Sequence, residues 1–101
     1  MFVSLTEIES VMLNYKEIEN VAAIPIKHDF YGEAYYLCVI LSKNCNEKDC
    51  IEKIHLWMID NFVSYKLPEK IIALKEFPRT ASGKIQKNKI LSMLSDKKNE
   101  K

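Results

Sequence analysis

Pro78-Arg79-Thr80-Ala81-Ser82-Gly83-Lys84-Ile85-Gln86-Lys87 lies between an apolar strand-like run, Ile71 to Leu74, and a helix-like run, Lys87 to Leu94. It holds one of the two glycines in the chain. Gly83 can take a positive φ and lets an anion approach the backbone closely. Lys84 follows it as a compact point charge on a long stem, suited to an anionic oxygen. Arg79, Thr80 and Ser82 place further donors around that lysine. The same residues also suit an ordinary solvated turn between a strand and a helix, and spacing alone leaves both readings open. A phosphate-cradling P-loop is excluded, because that motif needs a glycine where Pro78 stands and a hydroxyl where Ile85 stands.

Working outward, the chain divides into short elements. Ser4-x-x-Glu7 reads as a capping box, with Val3 and Ile8 placed as a hydrophobic staple. It predicts a helix with Leu5, Ile8, Val11, Met12 and Tyr15 on one stripe, ending near Lys16 or Glu17. Val21 to Ile26 reads as a buried strand, His28 to Glu33 as a turn around Gly32, and Ala34 to Leu41 as a second strand. Asn46 is placed to cap a helix reaching Phe62, with Ile51, Ile54, Met58 and Phe62 on one face and Trp57 packing beside them. Pro68 precedes a third strand, Ile71 to Lys75. A last helix from Lys87 would bury Ile90, Leu91 and Leu94, ahead of a frayed polar tail at 96–101. The predicted class is α+β: a small sheet flanked by helices, in the order helix-strand-strand-helix-strand-helix.

Several stretches together resemble one family. Pro78 to Lys87 is similar to the last core motif of the acyl-adenylate-forming enzymes, which include acyl-CoA synthetases, peptide-synthetase adenylation domains and firefly luciferases. Val3-Ser4-Leu5-Thr6-Glu7-Ile8-Glu9 resembles the family's entry into its small C-terminal domain. Val21-Ala22-Ala23-Ile24-Pro25-Ile26, Asp29 and Tyr31-Gly32-Glu33-Ala34 resemble its strand, loop and Gly-Glu turn. Tyr65-Lys66-Leu67-Pro68-Glu69 resembles its aromatic-basic-x-Pro segment. The likeness runs in order over residues 3 to 94. Residues 1–95 therefore resemble the C-terminal lid domain of an AMP-forming ligase.

That resemblance implies a function. Lys84 would be the catalytic lysine that reaches the ATP α-phosphate and the substrate carboxylate during adenylation. Gly83, Ser82, Thr80 and Arg79 would form the loop that supports phosphate approach. Gly32, Glu33, Tyr65 and Lys66 would face CoA in a second pose of the domain. Relatives with a basic residue in place of Leu67 make a contact this chain does not reproduce. Ala81-Ser82-Gly83-Lys84-Ile85-Gln86 resembles acyl-CoA ligases more than peptide-synthetase domains, which commonly carry Asn before Gly-Lys and Asp two residues after it. The implied reaction is ATP-dependent adenylation of a carboxylic acid, as in fatty acid metabolism, followed by thioester formation with CoA. The implied partner is a large N-terminal domain that binds ATP, the acid and Mg2+, so this chain alone is expected to be inactive. Alternatives are the lid of an adenylation domain that loads a carrier protein, and a free-standing binding module without catalysis.

Composition is consistent with one globular domain. The chain has 101 residues, 48% hydrophobic and 10% aromatic. Its net charge is +1, but Lys66 to Lys89 holds seven basic and two acidic residues against eight and twelve elsewhere. Such a basic segment can steer a nucleotide or CoA. Nucleic acid is not the expected partner, because no stacking aromatics interleave with these cations. No apolar run is long enough to cross a bilayer. Three cysteines without Cys-x-x-Cys spacing, and two histidines without ligand spacing, indicate neither a disulfide framework nor a metal site. Reduced thiols and a cytoplasmic location are expected.

Overall fold

Ser4 stands in extended backbone, and its Oγ accepts from the Glu7 N–H at 3.3 Å, which starts helix α1 (Leu5–Met12). The structure, a computed structural model, describes residues 4–26, 34–62 and 66–99, with side chains as far as Leu94. The staple residue Val3, the turn at His28 to Glu33 and Tyr65 lie outside the described residues. α1 ends at Met12, earlier than its apolar stripe predicts. Asn14 N–H and Tyr15 N–H turn back to the carbonyls of Val11 and Met12, and the Asn14 amide donates to the Ser10 carbonyl. These tight bonds close the helix and leave Tyr15 to pack on the core from a turn.

The chain then enters strand β1 (Ile18–Ile26), which begins three residues before the predicted Val21, with a register irregularity between Ile18 and Asn20. β1 pairs antiparallel with β2 (Ala34–Leu41), whose bounds are those the sequence predicts. Asn46 caps helix α2 (Glu47–Asn61) by accepting from the Asp49 N–H at 3.1 Å. After α2, strand β3 (Lys70–Ala73) pairs parallel with β2, in the register Leu37 to Ile71 and Val39 to Ala73. Parallel pairing of neighbouring strands requires a crossover, and α2 is that crossover. Helix α3 (Lys87–Asn99) closes the order and continues beyond Asp96, where a frayed tail was expected.

The sheet order is β1-β2-β3, so β2 lies in the middle and buries both faces. Alternation along the strands sorts the core into two clusters. Val21, Ala23, Tyr35, Leu37 and Val39 face Ile8 and Met12 of α1 and Ile54 and Met58 of α2. Ala22, Ile24 and Cys38 face the other way, onto Phe77 and Ile90, with Ile85, Leu91 and Leu94 packed beside them. On α2, Cys50 is buried with Ile54 and Met58, whereas Ile51 is only half-buried. Trp57 packs edge-on against Tyr15 and Phe62. The result is an α+β domain, with α1 and α2 on one face of the sheet and α3 on the other.

The outer edge of β1 is closed chemically. Val21, Ala23 and Pro25 share one parity along the strand. Val21 N–H donates to Asn20 Oδ1 at 2.9 Å, Ala23 N–H donates to Glu9 Oε2 at 2.8 Å, and Pro25 has no N–H.

Candidate functional site

The segment after β3 folds back on itself as a small hairpin. Phe77 is buried against the α3 face and anchors its entry; Arg79 and Ile85 pair across it as an isolated antiparallel bridge. Gln86 N–H donates to the Pro78 carbonyl, and Thr80 N–H to the Lys84 carbonyl, both at 2.8 Å. Gly83 N–H donates to the Thr80 carbonyl at 2.9 Å, closing the tip. Gly83 has φ +92°, a conformation that L side chains rarely adopt, and it is the one positive φ among the described residues. A β-carbon there would meet nothing within 4 Å, so the demand for glycine is conformational and not steric.

The side chains expected around Lys84 are all in this hairpin, but several are occupied by the turn itself. Arg79 Nη1 donates to the Gly83 carbonyl at 2.8 Å. Thr80 Oγ1 lies 2.9 Å from Ser82 Oγ and accepts from the Lys84 N–H at 3.1 Å. Lys87 Nζ lies 2.7 Å from Glu9 Oε2 on α1. Of the three cations in the segment, Lys84 alone has an ammonium without a partner among the described residues, and it is exposed. The turn therefore presents one uncommitted positive charge on a backbone held from both sides.

Of the residues expected to face CoA, Lys66 alone falls among the described residues, and it is not gathered with Lys84. Gly32, Glu33 and Tyr65 lie outside the described residues. Lys66 Nζ is 3.8 Å from Glu7 Oε1 on α1, and the Lys66 carbonyl accepts from the Tyr35 hydroxyl. Leu67 packs on the α1 and α2 side of the sheet, whereas Ile85 packs on the α3 side. The segment carrying Lys66 and the hairpin carrying Lys84 are thus anchored to opposite faces of the sheet.

Glu9 is the residue that sequence reading missed. A Glu-x-Glu pair on a capped helix reads as solvated charge, and nothing local shows that Glu9 reaches a strand edge and a lysine of the last helix. Elsewhere, burial pushes the Tyr35 hydroxyl and the Cys38 thiol upward, Cys38 to about 11. Burial, then a hydrogen bond with Cys45, also raises the Cys50 thiol. Among the described residues no three His, Cys, Asp or Glu side chains gather as a metal site, and no helix is long and apolar enough to cross a membrane.

The chain is similar in sequence and in fold to known proteins. The chain is 35% identical over 85 residues to the 2-succinylbenzoate–CoA ligase of Listeria monocytogenes, covering 84% of the chain and 17% of that protein. It is 30% identical over 88 residues to the oxalate–CoA ligase of Saccharomyces cerevisiae, covering 87% and 16%. Its fold superposes on apo MatB from Rhodopseudomonas palustris with a TM-score of 0.81 at 26% identity, covering 93% of the chain and 18% of MatB. The chain thus spans less than a fifth of the length of these relatives. The AMP-binding enzyme C-terminal domain family matches residues 7–84, from the first turn of α1 to the lysine after the Gly83 turn. By that match, and by relatives that are CoA ligases, the chain belongs to the AMP-binding enzyme C-terminal domain family.

Proposed function

We propose that this chain is the C-terminal lid of an AMP-forming carboxylate–CoA ligase and that Lys84 acts in its adenylation step. The observation that carries this reading is the uncommitted Lys84 ammonium, presented beside the one positive-φ glycine of a closed hairpin. In adenylation a carboxylate oxygen attacks the α-phosphorus of ATP and pyrophosphate leaves. Negative charge grows on the oxygens between the two reactants, where a preorganised cation lowers the barrier. Lys84 holds its charge there, while Thr80 and Arg79 fix the backbone from which it extends. Ser82 and Thr80 serve phosphate approach chiefly through that backbone, because their hydroxyls already bond each other.

The nucleotide pocket, the acid pocket and the Mg2+ ligands belong to a large partner domain, which the short span of the match against its relatives supports. Thioester formation with CoA follows in a second pose, with Lys66, Tyr65, Gly32 and Glu33 on the CoA side. Anchoring of the Lys66 and Lys84 segments to opposite sheet faces supports such an alternation. The three free thiols suit a reducing compartment, and we place the enzyme in the cytoplasm.

The test is reconstitution. The 101-residue chain alone should bind ATP more weakly than micromolar and show no turnover. Joined to its large domain, it should support carboxylate-dependent exchange between ATP and pyrophosphate. Tight ATP binding by the chain alone, or a joined protein without exchange, would overturn the assignment.

A further inference from the structure

The hairpin is well closed on itself but has few ties to the rest of the domain among the described residues. Phe77 and Ile85 hold it by apolar contact, which is non-directional. Ile90, Leu91 and Leu94 hold α3 in the same way. Among the described residues the directional tie is polar and comes from the far side of the sheet. Glu9, on α1, passes the outer edge of β1, and its Oε2 takes both the Ala23 N–H at 2.8 Å and the Lys87 ammonium at 2.7 Å. Lys87 is the first residue of α3 and follows Lys84 by three positions.

From this geometry we propose that Glu9 is a positioning residue for Lys84. Its carboxylate pins the start of α3 to a strand edge and so sets the direction in which the hairpin presents its free cation. The catalytic part of this inference rests on the adenylation role proposed above; the mechanical part does not. Glu9 is well suited to the task, because its own position is fixed by the Ala23 bond before Lys87 is added. Its carboxylate is also more sheltered than the one in the Lys66–Glu7 contact: the Glu9 side chain is 22% exposed and that of Glu7 67%. A charge-assisted bond at 2.7 Å is short and directional. It also occupies Lys87, so the segment offers an incoming anion one ammonium and not two competing ones.

Hydrogen exchange on the 101-residue chain tests the mechanical part. The reporting amides are Gln86, which donates to the Pro78 carbonyl, and Lys89 and Ile90, which donate to the Gln86 carbonyl. Glu9→Gln keeps an acceptor for Ala23 and removes the ion pair. It should speed exchange at these three amides several-fold and leave β2 amides unchanged. Lys87→Met should do the same, the double variant should add nothing beyond either single one, and Lys87→Arg should retain protection. Unchanged exchange in Glu9→Gln would overturn the proposal, as would an equal rise over the whole sheet.

Kinetics of the joined two-domain enzyme test the catalytic part. Glu9→Gln should lower the rate constant of adenylation ~10-fold, with little change in KM for ATP, because a small misplacement of a reacting group is costly. Thioester formation from supplied acyl-adenylate should be spared, and Lys87→Arg should behave as the parent. Equal losses in both half-reactions would overturn the positioning role. A silent Lys84→Ala would instead remove the adenylation reading, while the exchange measurements would still decide whether Glu9 holds the hairpin.

Discussion

The Lys84 N–H donates to Thr80 Oγ1 at 3.1 Å, so the residue that carries the free charge is oriented by a hydroxyl on the opposite arm of its own hairpin. That hydroxyl also meets Ser82 Oγ. Thr80→Val preserves shape and removes both contacts. It should cost about 1 kcal/mol of stability, the net worth of a typical hydrogen bond. In the joined enzyme it should slow adenylation more than thioester formation. Denaturant titration and separate half-reaction assays check the two parts.

Lys84→Ala should leave stability within about 0.5 kcal/mol, as for an exposed surface position away from special features. In the joined enzyme, loss of one preorganised charge should cost roughly a hundredfold or more in adenylation. Thioester formation from synthetic acyl-adenylate should continue nearly unimpaired. Pyrophosphate exchange reports the first step and CoA consumption the second; equal losses would mean that Lys84 serves domain closure and not chemistry.

Gly83 gives a cleaner separation of strain from crowding. Because a β-carbon there meets nothing, Gly83→Ala should cost about 1–2 kcal/mol through backbone conformation alone. Gly83→Asn should cost less, since asparagine tolerates positive φ better than alanine. A larger penalty for Asn than for Ala in thermal melts would show that space, and not φ, sets the requirement.

The buried thiols make the protein alkali-sensitive. Burial raises the Cys38 thiol to about 11 in the folded state. The folded chain thus keeps a proton that the unfolded chain gives up near the ordinary thiol value, about 8.5. Its stabilising contribution is complete below that value and is lost as pH rises through about 11, at about 1.4 kcal/mol per pH unit. The Tyr35 hydroxyl, raised in the same sense, extends the loss to higher pH. Denaturant midpoints measured from pH 8 to 11 should fall, and Cys38→Ala should flatten the fall. At pH 8 an alkylating reagent should modify half-buried Cys45 well before Cys38 or Cys50, both of which are buried. Equal rates at all three would contradict this.

Ile90 carries the attachment of α3. Its side chain is fully buried between α3 and the β1–β2 face. Ile90→Ala should cost about 3 kcal/mol, within the usual range for such truncations. Exchange at α3 amides should rise before that at β2 amides. A cost under about 1 kcal/mol would mean that α3 is held by its polar contacts.

What the sequence made legible was largely local. Ser4 and Asn46 cap their helices by bonding to N–H groups three residues away, and such bonds are written in adjacent residues. The limits of β2 follow from an unbroken apolar run, and the need for Gly83 follows from a turn closed within four residues. The likeness to a known family then supplied an identity that periodicity does not contain. What remained hidden depends on residues far apart in the chain. The early start of β1 at Ile18 reflects pairing with Leu41, and the early end of α1 reflects how soon that strand begins. Pairing of β3 with β2 is parallel, and no short-range pattern encodes strand direction. At the candidate site, the Lys84 turn was readable, but the partner of Lys87 was not, because Glu9 lies at the other end of the chain.

The closed edge of β1 has a further consequence. An exposed strand normally offers another chain a row of free N–H donors on which to grow a continuous sheet. Here the row is silent: Asn20 occupies one donor, Glu9 the next, and Pro25 supplies none. A second copy arriving alongside β1 would find acceptors but nothing to answer its own carbonyls over 21–25. Among the described residues the sheet therefore stops at β1 by hydrogen-bond chemistry, and crowded solutions of the protein are protected from zipping along that side.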